Sequence, residues 1–302
     1  MNSLYFKLSD YLKQRFDTRI YKILVDGGFT CPNRDGTKGV GGCVFCNEKG
    51  SGEHAFGGDI SLQVSCAISV AKQKGKGSKF IAYFQNFSST YAPVCELKKK
   101  YSLATAHPDI VGLAVATRPD CISEEVAKTI KEVAKDKLAW VELGLQTAND
   151  NTAKKINRGY LSSEFTRAVK ILNDFDLPVV VHLIIGLPDE NENDVLETVE
   201  FLNRHKIDGV KIHSLFVLSG TALEKDFLSG AYTPISRDYY VKCVADIITR
   251  LPPSVVIHRL TGDGEKDKIL APDWTKEKKK NLNAINKFLS DNNLYQGCFY
   301  KG

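Results

Sequence analysis

The chain has 302 residues, 43% hydrophobic and 25% charged, enough apolar material for one large α/β domain or two small ones. No apolar run reaches membrane-spanning length, and the amphipathic start at residues 1–16 has neither the long apolar stretch nor the small-residue cleavage site of a secretory signal. A cytoplasmic protein with no membrane partner is therefore expected. The net charge of +5 favours a polyanionic partner, although the densest basic runs, residues 98–100 and 278–280, read individually as solvated helix faces.

Taken in order, short β-branched runs alternate with longer helical patterns. Strands are predicted at residues 20–26, 80–85, 110–117, 140–147, 179–186 and 209–216. Several are almost continuously apolar, as parallel strands covered on both faces require. Helices are predicted at residues 60–74, about 90–105, 124–137, 164–175, 194–205 and 238–251. Ser123 before Glu124 and Glu125, and Asn193 before Asp194, supply capping side chains and early carboxylates. Pro252 and Pro253 stop the last of these helices.

Six successive βα units without a long linker predict one α/β domain over 1–302, with a core of about 20–251 and a C-terminal extension of about 252–302. The sheet is either open and doubly wound or a partly closed barrel, and periodicity does not choose between them. In both cases ligands belong at the carboxyl ends of the strands. The extension holds an apolar run at 255–260, then TGDGEKD and a lysine-rich helical tail.

Of eight cysteines, five (Cys66, Cys95, Cys121, Cys243 and Cys298) are scattered and read mostly as buried small hydrophobes. The other three follow the first strand. Cys31 and Cys43 are separated by the eleven residues 32–42, and Cys46 completes a C-x-x-C. Gly36, Gly39, Gly41 and Gly42 allow this loop to wrap closely around a compact object. Three thiolates leave one iron of a cubane open to a small molecule. The same loop is also compatible with a zinc site in which His54 is the fourth ligand. A thioredoxin-like pair is disfavoured, because the C-x-x-C does not open a helix directly after a strand. On these residues alone, zinc and iron–sulfur remain comparable.

Four further stretches fall in order at the ends of strands three to five: ATRPD (116–120), ELGLQT (142–147), INRGY (156–160) and HLIIGLPDE (182–190). With the cysteine loop they resemble the radical S-adenosylmethionine (SAM) superfamily, in particular a bacterial YtqA/YhcC-type group. That group is related to the Elongator catalytic subunit and to oxygen-independent coproporphyrinogen oxidase. The resemblance covers nearly the whole chain and implies a partial (β/α)6 TIM-like barrel with a C-terminal extension. Two stretches depart from the family pattern. The first cysteine spacing is eleven residues where three is usual, and YFQNFSSTY (83–91) replaces the Gly-Gly-Glu motif after strand two.

What the resemblance implies is a 4Fe-4S cluster on Cys31, Cys43 and Cys46, with SAM chelating the open iron. Gln85 is the candidate substitute for Gly-Gly-Glu, with Asn86 and Thr90 nearby. Gln146 is placed against SAM, Arg158 on its carboxylate, His182 where relatives carry a ribose-binding acid, and Gly186 against the adenine. One-electron reduction then gives a 5′-deoxyadenosyl radical. The implied substrate is the 5-substituent of wobble uridine in tRNA, for example carboxymethylaminomethyl converted to aminomethyl, with flavodoxin or ferredoxin as reductant. His213, His258 and Arg259 are candidates to reach the pocket as proton donors or phosphate ligands. Two alternatives stay open: a small metabolite or tetrapyrrole as substrate, and a non-catalytic, zinc-stabilised RNA-binding protein.

Overall fold

The computed structural model describes residues 3–47, 58–262 and 264–302. The zinc candidate His54 and Asp263 of the TGDGEKD stretch lie outside the described residues. A first helix, α1 (Leu8–Phe16), leads into β1 (Ile20–Val25). Alternation follows through α2 (Ile60–Gln73), β2 (Lys79–Phe84), α3 (Val94–Thr105), β3 (Ile110–Thr117), α4 (Glu124–Ala134) and β4 (Leu138–Gln146). Two helices, α5 (Asp150–Lys155) and α6 (Ser162–Asp174), precede β5 (Val179–Ile185), and α7 (Glu192–Asn203) precedes β6 (Gly209–Ser214). The remainder comprises β7 (Val217–Leu218), α8 (Ala222–Leu228), α9 (Arg237–Arg250), β8 (Val256–Arg259), β9 (Ile269–Ala271) and α10 (Lys278–Asp291).

Seven strands form one sheet in the order β1-β2-β3-β4-β5-β6-β8, each pair parallel. The short β7 and β9 pair antiparallel beside it. The seventh strand of the main sheet, β8, comes from the apolar run that the sequence places in the extension. The sheet is curled into a partial barrel. Lys22 on β1 and Lys211 on β6 both reach Glu142 on β4, although five strand spacings of about 4.8 Å each would separate β1 from β6 in a flat sheet.

Curling gives the two sheet faces different tasks. Outward residues such as Ile23, Phe80, Leu113, Val141, Val181 and Ile212 pack under the helices in the main core. Inward residues near the strand starts (Ile20, Ile81, Ala114, Leu138, Trp140 and Val180) close around Leu12 of α1. That helix spans the open edge, touching both β1 and β8, and just ahead of it the Phe6 carbonyl accepts from Ile257 N–H at 2.7 Å. The bottom of the barrel is thus filled, leaving the carboxyl ends of the strands open.

Several expectations need adjustment. Helix α3 starts at Val94 rather than near 90, because Pro93 takes the N-cap and Thr90 instead bonds Thr117 Oγ1 at 2.7 Å and the Cys121 carbonyl at 2.9 Å. The cap of α7 is Asn191, not Asn193, since Asn191 and Asp194 exchange the reciprocal bonds of a capping box. Of the five scattered cysteines only Cys243 is buried, while Cys66 and Cys95 are exposed. Their apolar sequence neighbours lie on the far side of α2 and α3, so the small-hydrophobe reading holds for Cys243 alone.

Candidate active site

The loop after β1 is short in space despite its length. Arg34 and Asp35 N–H groups donate to the Cys31 carbonyl at 2.8 and 3.2 Å, and Gly42 N–H donates to the Asn33 carbonyl at 2.9 Å. Gly41 and Gly42 hold φ of 78° and 75°, a region that side chains with a Cβ avoid. Asn157, following α5, clamps the fold by donating to the Gly42 carbonyl at 2.8 Å, while Val44 N–H bonds the Ile156 carbonyl at 3.0 Å. The eleven-residue spacing is taken up as a turn, and Cys31, Cys43 and Cys46 line one cavity of about 250 Å³ at the carboxyl end of the sheet.

Burial pushes the Cys43 thiol up to about 12, the Cys46 thiol adding to the effect and Arg118 opposing it. The Cys46 thiol is raised for the same reason, against the pull of Arg34. Metal loading must therefore release protons from this trio. Among the described residues no three His, Cys, Asp or Glu side chains gather around a single ion position. Three thiols distributed round a cavity are a donor set suited to a polynuclear iron–sulfur cluster.

Gln85, Gln146 and His182 line that same cavity. Gln146 sits at φ 62°, and its side-chain carbonyl accepts from Tyr160 Oη at 3.2 Å. Arg158 is not in the cavity wall. Its guanidinium is fully buried, donating to the carbonyls of Leu145, Thr147 and Tyr160 and reaching Asp150 at 3.3 Å. It therefore staples the β4 end to the following loop. Gly186 also lies behind the wall, where a Cβ would meet Ile235 at 3.0 Å and its carbonyl accepts from Tyr232 Oη at 2.8 Å. His213 and Arg259 line the cavity. His258 instead packs edge-on against Trp140, ring centroids 5.4 Å apart.

Beneath these residues lies a charged floor that sequence reasoning missed. Glu142 has no exposed side-chain surface. It accepts from Tyr83 Oη at 2.6 Å, Trp140 Nε1 at 2.9 Å and His182 Nε2 at 2.8 Å. It also pairs with Lys211 and, at 3.6 Å, with Lys22. Burial alone would raise the Glu142 carboxyl, but Lys211, Lys22 and His182 hold it well below the usual carboxylate range. Burial, then Lys211, pushes His182 down to about 4. A neutral imidazole facing a carboxylate can only donate. His182 Nε2 therefore carries the proton, and Nδ1 is left as the acceptor. Burial, joined by His182 and Arg259, likewise holds His213 well below its ordinary value. The available signal was parity: Lys22, Glu142, His182, Lys211 and His213 all occupy inward positions of otherwise apolar strands.

A family model described as the Radical SAM superfamily matches residues 31–202, and one described as the Radical_SAM C-terminal domain matches residues 207–291. The chain is 38% identical over 299 residues to YtqA of Bacillus subtilis (strain 168), covering 98% of this chain and 93% of that protein. It is 34% identical over 163 residues to the tRNA uridine(34) acetyltransferase of Dehalococcoides mccartyi, covering 53% of this chain but only 35% of that protein. Among solved structures, Elp3 of Methanocaldococcus infernus aligns with a TM-score of 0.70 at 16% identity, over 92% of this chain and 64% of the solved one.

Proposed function

Since the chain belongs to the radical SAM superfamily, whose members use a 4Fe-4S cluster and SAM, we propose that it is a tRNA-modifying enzyme acting on the 5-substituent of wobble uridine, such as carboxymethylaminomethyl converted to aminomethyl. Cys31, Cys43 and Cys46 would hold the cluster, the thiols giving up their protons on loading. When bound, the cluster and SAM would supply hydrogen-atom abstraction from the carboxymethyl carbon next to nitrogen. Return of one electron from the substrate and hydrolysis of the resulting iminium would break the C–N bond, releasing the two carbons as glyoxylate and leaving the aminomethyl group. The residues of this chain position the reactants and exclude water. Gln85 and Gln146 offer side-chain amides, and His182 offers Nδ1, its tautomer fixed by Glu142. A small acidic carrier such as flavodoxin or ferredoxin is the proposed electron donor.

The observation that carries the substrate reading is the content of the cavity. Among the described residues, the cysteine trio shares it with three arginines, Arg34, Arg118 and Arg259, against one lining carboxylate, Glu142, whose charge Lys22 and Lys211 counter from behind. A substrate group bearing a carboxylate, as carboxymethylaminomethyl does, has favourable electrostatics there. The net charge of +5 and the partial similarity to a uridine-34 enzyme agree with a tRNA carrying that group.

The test is nucleoside mass spectrometry on tRNA incubated anoxically with the reconstituted protein, SAM and dithionite. Loss of carboxymethylaminomethyluridine with matching gain of aminomethyluridine is expected. Unchanged wobble nucleosides, together with no salt-sensitive tRNA binding, would refute the substrate and leave a small metabolite as the alternative.

A further inference from the structure

The two departures from the superfamily pattern meet in space. Arg34, inside the long spacing between Cys31 and Cys43, donates through Nη2 to the carbonyls of Cys46 at 3.0 Å and Asn47 at 2.5 Å. Its guanidinium carbon lies 5.6 Å over the ring of Phe87, which belongs to the stretch replacing Gly-Gly-Glu. Phe87 adopts φ 56°, a conformation a bulky residue keeps only when its surroundings impose it. Gly42 leaves the room: a Cβ there would come within 2.8 Å of Arg34 Nε. Arg34 and Phe87 both line the cavity with the three cysteines.

We propose that Arg34, braced by Phe87, raises the reduction potential of the cluster held by Cys31, Cys43 and Cys46. This inference rests on the cluster assignment and not on the tRNA substrate. Reduction adds one negative charge to the cluster, and a fixed guanidinium beside a ligating cysteine favours the more negative state. Two other arginines influence Cys43, but their forks are engaged elsewhere. Arg118 makes two bonds to Asp120, both at 2.9 Å, and Arg158 holds backbone carbonyls. Arg34 differs in directing its bonds at the Cys46 backbone itself. It is a positioning residue, acting on the cluster through Cys46 and through its charge.

The experiment is an EPR-monitored redox titration of anoxically reconstituted protein without added SAM, with iron and sulfide content measured on every variant. Arg34→Met is expected to lower the reduced-to-oxidised ratio at fixed potential about tenfold, equivalent to about 59 mV for one electron. Arg34→Lys, which keeps charge but loses the fork, should lower it less. Phe87→Leu should lower it less than Arg34→Met and add nothing in the Arg34→Met background. If Arg34→Met does not retain the cluster, Arg34→Lys and Phe87→Leu decide the matter by the same shift. Fully loaded Arg34 variants with the wild-type potential would overturn the proposal, and additive shifts in the double variant would overturn the role of Phe87.

Discussion

Glu142 is a carboxylate with every approach occupied: a phenol, an indole, an imidazole and two ammonium groups converge on it inside the barrel. Replacing it by Gln removes the charge that compensates the buried Lys211, and breaking one half of a buried pair costs about 3–5 kcal/mol. Urea denaturation of Glu142→Gln should show a loss of that order. Lys211→Met in the same background should recover part of it, as coupled neighbours do in a double-mutant cycle. A loss below about 0.5 kcal/mol would mean the floor is not a coupled network. At this scale the sequence was informative about chemistry and poor about orientation. The cysteine trio, Gln85, Gln146, His182, His213 and Arg259 do share one cavity. The resemblance puts Arg158 on the SAM carboxylate, yet a guanidinium fork also suits several backbone carbonyls at a strand end, and the fold uses it there. Lys22 and Lys211 carry no sequence signal, and Glu142 enters only as the first residue of ELGLQT, because an isolated charge in an apolar strand does not reveal which face becomes a barrel interior.

The βα units were readable because several strands are strongly apolar runs and each main helix exceeds ten residues. What escaped was short or depended on tertiary context. Helices α5 and α8 have six and seven residues, too few to display a helical period. Strand β8 follows a Pro-Pro stop, and no local pattern says that its partner is β6. Helix α1 was recognisable as amphipathic, but its place under the barrel follows from where its apolar side finds company. Leu12 is 4% exposed and sits among residues from β1, β2, β3, β4 and β5. Leu12→Ala should therefore destabilise by about 2–5 kcal/mol, the range for a truncated core leucine, measured by chemical denaturation. Wild-type stability would show that α1 decorates the barrel without closing it.

Over the whole molecule, curvature brings side chains from β1, β4 and β6 onto one carboxylate and gathers the strand-end residues round one cavity. Composition and periodicity could state the fold class and the end of the sheet where ligands belong, but not whether the sheet closes, since an open sheet and a partial barrel share the same strand patterns. Motif order decided that, and the fold agrees with Elp3 at a TM-score of 0.70. No helix among the described residues is long and apolar enough to cross a membrane.

Three thiols holding a cluster with one open iron can be tested by product analysis without reference to the final substrate. Protein reconstituted anoxically with iron and sulfide, then supplied with SAM and dithionite, should release 5′-deoxyadenosine and methionine in equal amounts. Alanine at Cys31, Cys43 or Cys46 should abolish that release. Anoxically purified material that carries zinc alone, or a loaded protein that forms no 5′-deoxyadenosine under strong reductant, would contradict the account.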